Sequence, residues 1–82
     1  MNVMPTITKA MKQDAVDTAR GYIDQIGSAR STGEANWLLG QAHGVLKFAQ
    51  VWSVMDGDTV CAMIAQAHQA FRKRSAYLRG AL

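Results

Sequence analysis

Apolar residues recur at intervals of three and four along almost the whole chain, the repeat of helices that hide one side. No segment alternates apolar and polar positions as a half-buried strand would. Ile7, Met11, Ala15, Ala19, Tyr22 and Ile26 form one stripe, widened by Val16 and Ile23. Lys9, Lys12, Gln13, Asp17, Arg20 and Asp24 take the other side. This predicts a first helix over about residues 7–27, capped by the hydroxyl of Thr6 or Thr8 after an extended Pro5. Ser31-Thr32-Gly33-Glu34 fits a capping box, in which Ser31 receives the N–H of Glu34 and Glu34 reaches back to Ser31. A second helix over about 32–55 is expected to follow. Asp56-Gly57-Asp58 then breaks the pattern, with Gly57 suited to a left-handed helix end and Asp58 to the next N-cap. The third helix, about 59–79, would turn Val60, Ile64, Ala67, Phe71, Ser75 and Leu78 inward, flanked by Cys61, Met63 and His68. The connection before it is short enough to favour an antiparallel hairpin of helices two and three.

Helix two is apolar on two sides. Ala35, Leu38, Leu39, Ala42, Leu46 and Ala49 make one stripe; Trp37, Gly44, Phe48, Trp52 and Met55 make another. Lys47 and Gln50 mark the little that is left for water. Such a helix needs partners on both faces, its own neighbours and something more. Gly40 and Gly44 stand four apart and each costs about 1 kcal/mol against alanine in a helix interior. Close approach of another helix or an aromatic ring is their expected compensation. Trp37, Phe48, Trp52, Met55, Met63 and Phe71, with Met4 and Met11, are many large apolar side chains for 82 residues. Trp and Met are enriched at interfaces, and Met lets a surface repack around its partner.

A chain of this length forms one domain, here residues 1–82, with a marginal core. Cys61 is the only cysteine, so no disulfide can form within the chain. With His43 and His68 it falls short of the roughly four ligands of a structural zinc site. No metal and no cofactor is expected. Regular helix packing and self-association remain as sources of stability. The unpaired thiol, the absence of a signal peptide and the lack of a long apolar run point to the cytoplasm and away from a membrane.

Catalysis finds no support. Cys61 and His68 share a helix face but lie about 10 Å apart along its axis, too far for a nucleophile–base pair. His43 could approach either across the hairpin. Asp14 and Asp17 read as a solvated face, Asp56 and Asp58 as turn and cap residues. Asp56-Gly57-Asp58 lacks the later ligands of a calcium loop, and Gly40 and Gly44 lack the context of a phosphate loop.

Charge is uneven. Residues 1–58 carry five Lys/Arg against six acids; residues 59–82 carry Arg72, Lys73, Arg74 and Arg79 and no acid. These four could track a phosphate backbone, which is the alternative function. A helix-turn-helix is disfavoured, because the start of helix three is apolar where a recognition helix presents polar groups.

The run from Gly33 to Leu46, GEANWLLGQAHGVL, followed by a short acidic turn and a second helix, resembles small helical-hairpin accessory proteins of phages and plasmids. The likeness covers about residues 31–75. It implies a mobile-element origin and action by docking on a larger target, as an inhibitor of host defence or an adaptor of a host enzyme. It carries no residue role across.

The sequence is therefore read as an all-α three-helix bundle with an antiparallel hairpin, expected to be dimeric. Its expected function is non-enzymatic protein binding, to itself and to a protein target, through Trp37, Gly40, Gly44, Phe48, Trp52 and Met55.

Overall fold

The computed structural model describes the backbone of residues 4–80 and the side chains of residues 9–80. Three helices, α1 (Met4–Ile26), α2 (Thr32–Val51) and α3 (Gly57–Leu78), each contact the other two. The described residues include no strand.

Except at the start of α2, the helix boundaries differ from those expected, for local reasons. α1 begins at Met4, ahead of both threonines, with Pro5 in its first turn. Proline fits there because a first-turn N–H has no partner to lose. Ser31 caps α2 as expected, its Oγ accepting from the N–H of Glu34 at 3.0 Å. Glu34 does not return to Ser31; its Oε1 accepts from the N–H of Arg30 at 2.6 Å. The carboxylate thus holds the chain one residue earlier, where the α1–α2 connection enters the helix.

The largest departure lies at the other end of α2, which stops at Val51 and not near Met55. Ser53 takes a left-handed φ of 59°, Val54 N–H donates to Ala49 O at 2.7 Å, and Ser53 N–H donates to Gln50 O at 3.0 Å. These two bonds form a Schellman turn, with serine where glycine is usual. Gly57 is not at this turn. It is the first residue of α3, and Asp56, not Asp58, is the N-cap, accepting from Thr59 N–H at 2.7 Å. Asp58 falls in the first turn, where its charge complements the helix dipole.

The core mixes alanine with Leu, Ile, Val and Met. Ile26, Ala29, Ala35, Leu38, Leu39, Ala42 and Ala67 pack at one end, with Tyr22, Ile23, Ala70 and Phe71 against them. Ala19, Leu46, Ala49, Met55, Val60 and Met63 pack at the other. All six residues of the expected inner stripe of α2 are buried. Cys61, expected to flank the inner stripe of α3, is exposed: it lies about 100° around α3 from Val60, at the edge of the buried arc.

The Asp56 carboxyl sits below its ordinary value of 3.8, chiefly because the backbone N–H of Thr59 donates to the ionised form. The Thr59 hydroxyl acts in the same direction, desolvation opposes both, and the charge of Lys12 adds a lesser lowering. A carboxyl lowered by folding stabilises the native state above its unfolded value, and that contribution is lost as pH falls through the lowered one. Acid titration followed by circular dichroism should therefore show a loss of stability below about pH 3.8. Asp56→Asn should flatten that part of the curve, since Asn caps without titrating; an unchanged acid limb would remove Asp56 as its source.

Candidate interaction face

α2 presents opposite faces of opposite fate. On the buried side lie the six core residues. On the other, Trp37, Gly40, Gln41, Gly44, Phe48, Val51 and Trp52 fall within about 120° of arc. No charged residue lies in this arc between Trp37 and Trp52. Trp37 is 59% exposed, Phe48 64%, Val51 76% and Trp52 65%. Phe48 and Trp52, four apart, lie ring against ring with centroids 5.9 Å apart, forming one ridge.

Beside the ridge runs an open groove of about 550 Å³ between α1 and α2, lined by Met11, Asp14, Ala15, Gly40, Gln41, Gly44, Val45, Phe48, Ala49 and Val54. Met11 is itself 47% exposed. Among the described residues, a Cβ at Gly40 or Gly44 would find no atom within 4 Å, so none of them makes the close approach expected at these glycines. The two positions line a groove that the described residues leave open.

Met55 does not join the face. It is 4% exposed and packs in the core with Leu46, Ala49 and Val60. Had α2 continued, Met55 would have stood in line with Trp37; the Schellman turn at Ser53 swings it inward. Val51 and Gln41 occupy the face instead, as the helical register of its 3–4 spacing allows. Of the other large apolar residues, Met63 is buried and Phe71 half-buried. The side chain of Met4 lies outside the described residues.

The basic end of α3 is divided by the fold. Arg72, Lys73 and Arg79 are exposed. Arg74 is half-buried, its Nε donating to Ala29 O at 2.8 Å and its guanidinium lying 4.6 Å from the centre of the Tyr77 ring. It ties the end of α3 to the α1–α2 connection and is not free for a ligand.

His43 and His68 do meet: their Nε2 atoms lie 2.9 Å apart, with rings edge to face. One ring donates and the other accepts, which gives α2 and α3 a polar fastening beside an apolar core. Among the described residues, no group of three His, Cys, Asp or Glu side chains is placed to hold a metal ion. No described helix is long and apolar enough to cross a membrane.

Compared with protein-family models, curated proteins and solved structures, the chain matches none.

The exposed ridge and the core should separate cleanly in urea unfolding of the dilute chain. Trp37→Gln or Trp52→Gln is expected to change stability by no more than about 0.5 kcal/mol. Leu46→Ala should cost about 2–5 kcal/mol, because it empties a fully buried site. A tryptophan variant as damaging as Leu46→Ala would make that residue part of the core.

Proposed function

We propose that this chain is a protein-binding module whose docking face is the uncharged, aromatic side of α2 and which works as a homodimer. One observation carries the proposal: four large apolar side chains crowd one arc of one helix while the opposite arc is fully used by the core. Contiguous apolar surface of this kind marks interaction sites, and aromatic anchors supply much of the binding energy at such sites. The face lacks a convergent set of nucleophile, base and orienting group, so the reading is non-enzymatic. An antiparallel α2–α3 hairpin is part of the same reading, supported by the short 52–56 connection and the contact of His43 with His68. A role as an inhibitor or adaptor of mobile-element origin rests on the resemblance of residues 33–46, and a cytoplasmic site of action on the unpaired, exposed Cys61.

A photoreactive amino acid in place of Phe48, activated in cells that make the protein, tests the face directly. Covalent adducts to protein are expected from Phe48 and not from Gln69, an exposed position on α3. Absence of any protein adduct at Phe48 would end this reading.

The second reading is nucleic-acid binding by the basic end of α3, which offers three exposed cations now that Arg74 is engaged. It predicts duplex DNA binding that falls steeply with salt and disappears when Arg72, Lys73 and Arg79 are replaced by Gln. Binding untouched by either change would dismiss it.

A further inference from the structure

We propose that the occupant of the α2 face is a second copy of this chain, laid antiparallel on it with the two-fold axis at Gly44. This rests on the protein-binding reading of that face and specifies its partner. A two-fold contact must be complementary to its own image. About an axis at Gly44, residues equally far from it in sequence face one another. Gly40 and Phe48 are each four residues away, so Phe48 of the second copy stands over Gly40. That is the position where, among the described residues, nothing comes within 4 Å of a Cβ. Trp37 and Val51 are each seven away, so the indole covers Val51 beside Trp52. At the crossing point Gly44 meets its own image with no side chain between the two backbones. Gln41 and Lys47, each three away, fall toward the rim, where polar groups belong.

Large thus meets small at the Phe48 level, and at the axis glycine meets glycine. A parallel pairing would set Phe48 against Phe48 and Trp37 against Trp37 and leave the glycine levels empty, contrary to close packing. The uncharged face also brings no like charge against its own image.

Surface area points the same way. The chain exposes 5461 Å², whereas a compact monomer of its 8.9 kDa mass exposes about 4,800 Å². The surplus, about 650 Å², approaches the ~800 Å² per partner of a standard interface. Its radius of gyration is 14.5 Å against about 12 Å for a compact chain of this length. A second copy along the length of α2 would give a fuller particle.

Sedimentation equilibrium from micromolar to millimolar concentration should show a mass twice 8.9 kDa for the native chain. Gly44→Glu should return it to a single 8.9 kDa chain with helicity intact, since the new Cβ enters open space in one copy. Register is read in a Cys61→Ser background under mild oxidation. Gly44→Cys should link two copies, because Cα atoms at the crossing fall within the ~7 Å reach of a disulfide. Trp52→Cys should not, because eight residues on either side of the axis separate the two sites by about 24 Å. A chain that stays single at every concentration, a dimer that survives Gly44→Glu, or linkage through Trp52→Cys as ready as through Gly44→Cys overturns the proposal. If the chain stays single but the Phe48 probe still captures a different protein, the second copy is refuted and the protein-binding reading stands. If the probe captures no protein at all, both fall.

Discussion

When α2 closes at Val51, the N–H groups of Val54 and Met55 both turn back to the carbonyl of Ala49, through a serine in the left-handed region. A left-handed L-residue costs roughly 1 kcal/mol. The offset is direct: Val54 packs on the core from the position where a Schellman turn seats its apolar contact, and Met55 becomes almost fully buried. The rest of the molecule depends on this turn. It sets where Asp56 can cap α3, and so which residues of α3 face inward. It also ends the aromatic face at Trp52.

The same closure explains how one helix can serve two surfaces. The inner arc of α2 is mostly alanine and leucine, and small side chains let α1 and α3 come close with little bulk between them. Ile26, Leu46 and Val60 are the largest fully buried side chains of the core that results, with Leu38, Leu39, Met55 and Met63 buried beside them. Trp37, Phe48 and Trp52 lie on the opposite arc of α2 and stay outside that interior. Placing them outside, in an arc without charge, costs solubility unless something covers them. The unfilled glycine positions beside them fit the same account, since glycine weakens α2 and no described residue packs close enough to offset it.

Polar groups fasten the helices as well. His43 and His68 join α2 to α3 midway along their length, and Arg74 joins α3 to the carbonyl of Ala29. The second contact takes one cation out of the basic cluster. What looks in composition like a block of four positive charges is, in the fold, one structural arginine and three solvated ones.

Helical class, the number of helices and the buried stripe of α2 were legible in the sequence, because apolar spacing of three and four is a local property of the chain. The Ser31 cap was legible for the same reason: hydroxyl and N–H are three residues apart. So was the double-sided character of α2, from which Trp37, Phe48 and Trp52 were expected on an outer face. Met55 was misplaced because helical periodicity cannot see where a helix stops; Ser53 is a poor sequence signal for a left-handed turn, and the glycine that suggested one, Gly57, begins the next helix. The engagement of Arg74 and the meeting of His43 with His68 were equally hidden, since their partners lie 45 and 25 residues away. Only tertiary structure decides such contacts, because it alone sets which surfaces of separate helices come within reach of a hydrogen bond.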